Sequence, residues 1–200
     1  MIAKLLSAPM KDRWHILAAV CLFLLQIFLR HFLITPYAHT TEEGGKQMQD
    51  KLFDELFKKI RDTTGIKDIG YHEIKDGRLK PIYKTKTTEL DEGKWKNIHA
   101  HNIVYIKEHQ ILVKIVEEKK SIAISDVSNN ELSSKAFFLF GINSILVVPV
   151  IENEIVKGII CIASIGQFHD FTFEEQRTCE ALVQNYMGGE KCTSAGGSDI

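Results

Sequence analysis

Two long apolar runs, Ser144–Ile151 and Ile155–Ile165, constrain this chain more than any other feature in it. They are joined by the short polar turn Glu152-Asn153-Glu154, which makes them a hairpin. Both runs are apolar on nearly every residue rather than on alternate ones. A strand of that kind is buried on both faces, so the hairpin belongs at the centre of a sheet with other elements above and below it.

The rest of the chain supplies those elements. Over Lys46–Asp62, residues Met48, Leu52, Phe53, Leu56, Phe57 and Ile60 recur at three- and four-residue intervals, the spacing of an amphipathic helix that ends at Thr63-Thr64-Gly65. Two strand-like runs follow, Asp68–Ile74 and Leu79–Lys84, with Lys75-Asp76-Gly77-Arg78 between them as a hairpin turn. Thr85–Ala100 is polar and without clear period, which predicts a loop with no more than a helical turn. Ile103–Ile106 fits a short strand. Ile111, Leu112, Ile115 and Val116 fall at helical spacing, although their β-branched content leaves strand open. Ser121–Ser125 alternates as a strand closing on Asp126. Ser128 and Glu131 form a capping-box pattern ahead of a helix through Phe137 and Phe140, stopped by Gly141. Thr172 and Glu175 repeat that pattern ahead of a terminal helix, Phe173–Met187. Residues 188–200, rich in glycine and serine, are expected to be a disordered tail.

At the other end, residues 14–37 (WHILAAVCLFLLQIFLRHFLITPY) are expected to be a transmembrane helix behind a short tail, residues 1–13. Such a helix is about 36 Å long at 1.5 Å per residue, against a hydrocarbon core of about 30 Å. Trp14 and Tyr37 stand where interfacial aromatics belong, and Arg30 is close enough to the Tyr37 end to snorkel. A cleaved signal peptide would need small residues before the cut, which Pro36-Tyr37-Ala38 does not offer. Lys4, Lys11 and Arg13 before the span nearly balance Arg30, Lys46 and Lys51 after it, so charge does not decide the orientation. Residues 38–45 are polar and contain glycine, as a linker would.

Composition narrows the partners. Lys and Arg number 25 against 26 Asp and Glu, a net charge of −1, with no basic run of the kind a nucleic-acid surface needs. The four cysteines, Cys21, Cys161, Cys179 and Cys192, form no CxxC pair and no disulfide framework, which fits a reducing compartment. Cys161 and Cys179 sit in apolar settings and read as ordinary interior thiols. His99 and His101, with His109 nearby, would share a face if their segment were a strand. No acidic or cysteine partner completes a metal site, however, and a solvent-facing pair is the expectation.

Beyond element order, particular residues are familiar. Lys120–Val127 (KSIAISDV), Gly141 with Ser144 and Pro149 in the following strand, Gly158 in the next, and Phe171-Thr172-Phe173-Glu174-Glu175 before the last helix resemble the second half of a GAF domain. The likeness is good over residues 120–187 and no more than compatible over 46–119. It implies an α/β (α+β) GAF-like fold over residues 46–187, an antiparallel central sheet flanked by helices, with the transmembrane helix before it.

Function follows from the resemblance more loosely than fold does. It implies a non-enzymatic, membrane-anchored sensory domain in the cytoplasm, binding a small molecule between the sheet and the connections around residues 85–118. With no kinase, cyclase or DNA-binding segment in the sequence, it would signal through a partner protein. The candidate ligand-contacting residues are Tyr71, Asp126 and Ser144. No cofactor can be named, and the cyclic-nucleotide and bilin signatures of the family are not found. Two alternatives stand beside this: a ligand-free module that dimerises through residues 46–62 and 173–187, and a thiol redox enzyme using Cys161 or Cys179. The expected partners are membrane lipid at residues 14–37, a second copy of the chain and an unidentified small molecule, without nucleic acid.

Overall fold

The computed structural model describes residues 35–188. In chain order these form α1 (Thr35–Thr64), β1 (Asp68–Lys75), β2 (Arg78–Lys84), α2 (Glu92–His101), α3 (Gln110–Glu118), β3 (Ile122–Ile124), α4 (Lys135–Leu139), β4 (Ile142–Glu152), β5 (Ile155–Ile165) and α5 (Phe173–Met187), with 3-10 turns at Ile106–Glu108 and Val127–Asn129. The chain divides into two compact units between Gln49 and Asp50. The described part of the first is helical throughout; the sheet and all later elements belong to the second. The expected span falls almost wholly outside the described residues, as does the expected tail beyond Gly188. Among the described residues no helix is long and apolar enough to cross a membrane.

The five strands form one antiparallel sheet in the order β2-β1-β5-β4-β3. Its middle is the hairpin that the apolar runs predict. Strand β5 is bonded on one edge to β4 and on the other to β1. Asn153 and Glu154 turn the β4–β5 hairpin at φ values of 48° and 62°, and Asp76 and Gly77 turn the β1–β2 hairpin at 54° and 70°. Positive φ at both turn residues gives the backbone twist that suits the strands on either side.

Strand pleating sends alternate residues to two separate apolar layers. Leu146, Val148, Ile160 and Ile162 face Phe53, Leu56, Phe57 and Ile60 of α1 and Cys179 and Val183 of α5. Ile145, Val147, Ile159 and Ala163 face the other way, toward Ile111, Leu112 and Ile115 of α3 and toward Val104 and Val127. Burying each such aliphatic side chain contributes about 1.5–3 kcal/mol. Helix α5 starts where the sequence places it. Thr172 Oγ1 accepts from Glu175 N at 3.1 Å and Glu175 Oε2 accepts from Thr172 N at 2.7 Å, a complete capping box. Pro149 lies past the last residue that β3 pairs and is opposite Ile159 of β5 on the other edge.

Several local readings are corrected. Residues 38–45, expected as a linker, are helical and continuous with α1. Helical bonds are local, and Gly44 and Gly45 each cost only about 1 kcal/mol. Residues 92–101 form a helix rather than loop, capped by Asp91, which accepts from Lys94 N at 2.9 Å. Only Trp95 and His99 of that helix are buried, one turn apart, so there was little period to see. Ile103–Ile106 is no strand; Tyr105 makes a single bridge to Arg78. The Ser128/Glu131 box does not form. Asp126 captures the Ser128 amide at 2.8 Å and closes a 3-10 turn, and α4 begins later, where Ser134 accepts from Ala136 N at 3.1 Å.

Gly158 marks the tightest backbone approach in the sheet. A Cβ there would lie 2.5 Å from the carbonyl oxygen of His72 and 2.6 Å from Tyr71 Cε2. The carbonyl belongs to the β1–β5 ladder and has nowhere to retreat. Gly158→Ala is therefore expected to lower the unfolding free energy by about 1–3 kcal/mol, and Gly158→Val by more, read as a shift of the urea midpoint at unchanged m. Midpoints equal to wild type would refute the packing of Tyr71 under β5.

Candidate functional site

The layer between the sheet and residues 85–140 does not close completely. It leaves a cavity of about 70 Å³. The sheet supplies its floor through Gly70 and His72 of β1, Ile145 and Val147 of β4, and Ile159, Cys161 and Ala163 of β5. Trp95 and His99 of α2, Ile111 and Leu112 of α3, and Phe137 and Phe140 at α4 form the walls and roof. The lining is apolar apart from a few groups, each placed by its element.

Asp68 and Lys84 stand at the paired ends of β1 and β2. Lys84 Nζ lies 2.8 Å from Asp68 Oδ1 and also donates to Thr85 O at 3.1 Å and Thr87 Oγ1 at 3.0 Å. Both side chains are under 10% exposed, so this ammonium and carboxylate neutralise one another away from water. Ser134 Oγ is taken up by Ala136 N and by His109 Nδ1 at 2.7 Å.

The third polar feature is a histidine pair. His72 Nε2 and His99 Nε2 are 3.1 Å apart, and Trp95 meets both rings edge-on with centroids at 5.2 and 5.3 Å. Burial, with His99 as a second cause, pushes His72 down to about 3, and burial pushes His99 down to about 4. Both rings are neutral near pH 7, so one Nε2 donates and the other accepts. His72 is 5% exposed, and its Nδ1 has no hydrogen-bond partner among the described protein atoms.

The structure gives the three residues singled out from the sequence other surroundings. Tyr71 lies on the opposite side of the sheet, stacked on Phe53 with centroids 5.0 Å apart. Asp126 is the 3-10 cap; bonds from the Ser128 hydroxyl and amide hold its carboxyl below the usual range. Ser144 Oγ donates to Ser125 O at 2.6 Å and accepts from His169 N at 2.8 Å, tying the end of β3 to the segment before α5. None of the three lines the cavity.

The histidine reading also changes. His99 is buried and bonded to His72 rather than facing solvent beside His101, whose Nδ1 turns back to Asn97 O at 2.8 Å. On a helix, two residues separated by two positions point to different sides. Among the described residues no cluster of three His, Cys, Asp or Glu could hold a metal. The two described cysteines sit on opposite faces of the sheet. Burial pushes the Cys161 thiol up to about 12, and burial with Glu175 and Glu180 does the same for Cys179. Sequence reasoning missed His72 and Trp95. The signal for His72 was strand parity, which places Asp68, Gly70 and His72 together, away from Ile69 and Tyr71.

The sheet order, the two covering layers and the cavity's position make this a GAF-like fold. A GAF domain/HD domain protein from Geobacter sulfurreducens superposes with a TM-score of 0.59 at 14% identity, over 72% of this chain and 92% of that one. The GAF domain of PixJ from Thermosynechococcus elongatus, in its blue-light absorbing form, gives 0.55 at 12% identity, over 68% and 81%. A type II free methionine-R-sulfoxide reductase from Thermoplasma acidophilum gives 0.50 at 17%, over 72% and 97%. The sequence matches no protein-family model and no curated protein.

The histidine pair ties stability to pH with a definite sign. Each folded-state value lies below the ordinary 6.5 or so, so below that pH the unfolded chain binds protons that the folded chain refuses. The pair's full stability is present above about 6.5 and is lost as pH falls toward 4. Unfolding free energy is expected to drop by about 1.4 kcal/mol per pH unit per histidine between pH 6 and 5, and His72→Phe to remove about one proton from that slope. A variant with the wild-type slope would show that His72 is not held neutral.

Proposed function

We propose that this chain is a membrane-anchored sensory domain. Residues 14–37 hold it in the cell membrane by a single pass, the GAF-like domain faces the cytoplasm, and a small molecule bound in the cavity changes its affinity for a partner protein. One observation carries the sensing part: an apolar cavity between the sheet and α2, α3 and α4, with His72 and His99 among the few polar residues that line it. Apolar pockets with a few convergent polar groups are where small molecules bind. A cyanobacteriochrome receptor, PixJ, among the similar structures favours the same reading.

The proposal is non-enzymatic. A thiol nucleophile acts as thiolate, and burial opposes the thiolate at both Cys161 and Cys179. The face that each cysteine occupies also keeps the two from meeting. Dimerisation through residues 46–62 and 173–187 is a second reading, favoured by Phe173, which is 75% exposed at the start of α5.

Sensing is tested on the full-length protein by following the Trp95 indole N–H signal while small-molecule fractions of a cell extract are added. At least one fraction is expected to shift it, and Ala163→Leu, which grows a side chain into the cavity, is expected to abolish the response while retaining the fold. A wild-type signal that no fraction moves would sink the sensing role. Topology has its own test. A reporter active only in the cytoplasm, fused after Ile200, is expected to be active. An inactive reporter, with the domain cleaved by protease added to intact cells, would reverse the orientation.

A further inference from the structure

A second recess lies where the last turns of α1 pass the end of β2. It is an open groove of about 830 Å³, and Lys84 is the one lining residue it shares with the cavity. That volume is within the range of small-molecule sites. Helix α1 contributes Lys58 and Arg61 to its lining, the α1–β1 connection contributes Lys67, and the chain after β2 contributes Lys86.

Charge sets this groove apart. The whole chain carries a net charge of −1, yet five cations line the groove against two carboxylates, Asp54 and Glu89. Lys84 is matched by Asp68, which leaves Lys58, Arg61, Lys67 and Lys86. Among the described residues none of those four makes an ion pair. Lysines elsewhere do pair across one helical turn, Lys96 with Glu92 and Lys114 with Glu118. Asp54 and Lys58 have the same spacing, but Asp54 Oδ1 accepts from Tyr83 OH at 2.7 Å, and Glu89 Oε2 accepts from Thr88 Oγ1 at 3.0 Å. Like charges gathered around one opening repel, and an anion placed among them turns that repulsion into attraction.

The fold holds the cations around the groove rather than stringing them along one element. Phe57 and Ile60 bury their side of α1, and Lys58 and Arg61, three residues apart, share an exposed face beside it. Thr85 Oγ1 donates to Lys67 O at 2.7 Å and accepts from Ile69 N at 2.9 Å, and Thr87 Oγ1 donates to Asp68 Oδ1. Those bonds fasten the segment that carries Lys86 to the one that carries Lys67.

We propose that this groove binds a group bearing two or more phosphates, on a soluble metabolite or on a lipid headgroup. Asp54 and Glu89 in the same lining oppose a weakly charged anion, so the ligand carries several negative charges. Four cations exceed what a single carboxylate meets, and Arg61 offers a planar fork that matches phosphate oxygens. The site is separate from the sensing cavity and stands without it.

The test is calorimetric titration of the full-length protein in nonionic detergent with pyrophosphate and with citrate, anions of comparable charge. Pyrophosphate is expected to bind about tenfold more tightly than citrate, and to weaken as salt is raised. Lys58→Gln with Arg61→Gln is expected to weaken it at least about tenfold, the loss of charge-assisted bonds. Lys135→Gln with Lys157→Gln removes the same charge from exposed positions outside the groove and is expected to change it less than about twofold. All four side chains are exposed, so both variants keep the fold. Repeating the titration in phosphatidylcholine nanodiscs, with and without a phosphoinositide bisphosphate, separates the sources. Pyrophosphate excluded by the phosphoinositide assigns the lipid headgroup, and unchanged pyrophosphate binding assigns a soluble ligand. Citrate binding as tightly as pyrophosphate would overturn the phosphate class. Equal losses in the two double variants would overturn the groove as the site, and pyrophosphate that does not bind in detergent or in plain nanodiscs would overturn the proposal outright.

Discussion

Strand β5 is bonded along both edges and packed on both faces, and the rest of the domain is arranged to meet those four demands. Its edges take β4 through a two-residue turn and β1 from far earlier in the chain. Its faces need two apolar layers, one made by α1 and α5 and the other by α3 and the connections around it. Satisfying β5 therefore draws together segments separated by about a hundred residues. The price is paid at Gly158, the one strand position where β1 comes too close for a side chain.

The two layers then diverge. On the α1/α5 face, Phe53, Phe57, Tyr71 and Tyr83 stack against one another and fill the space. On the other face the roof is built from a ten-residue helix, a nine-residue helix and a five-residue helix joined by irregular chain. Short elements at varied angles cannot interdigitate with a pleated sheet as two long helices do, and a void is left between Trp95 and the strands. Several of the polar groups at its wall are buried and are paired within the protein. Asp68 with Lys84 and His72 with His99 accomplish most of that pairing, and the residue of the arithmetic is one imidazole nitrogen.

Where the sequence was legible, the signal was local and redundant. The β4–β5 hairpin carried a run of apolar residues on each side of a turn, and α5 carried a capping box, a period and a following glycine, all agreeing. The α1 period over Lys46–Asp62 showed because four of its six apolar residues, Phe53, Leu56, Phe57 and Ile60, point at one layer. Where it misled, one local cue had a competitor the sequence could not rank. Ser128 had a cap-like partner in Glu131, but Asp126 stood closer to its amide. The α2 helix buries only Trp95 and His99, too few to make a period. The candidate site fared worse than the fold. Tyr71, Asp126 and Ser144 were visible as polar residues in well-read elements, and each is occupied by the fold itself: stacking on Phe53, closing a turn, and joining two loops.

Residue order alone determined the strands, their central hairpin, the terminal helix and the apolar face of α1, because turn chemistry and side-chain period act over a few neighbours. It also determined the balance of charge and the lack of a CxxC motif. Only the tertiary structure decided that β1 joins β5, which turns His72 toward the roof and Tyr71 away from it. Only there do His72 and His99, 27 residues apart, come within 3.1 Å, and only there is Lys84 matched to Asp68. Those are pairings across the sheet and between layers. Their partners are chosen by the packing of β5, which no window of neighbouring residues contains.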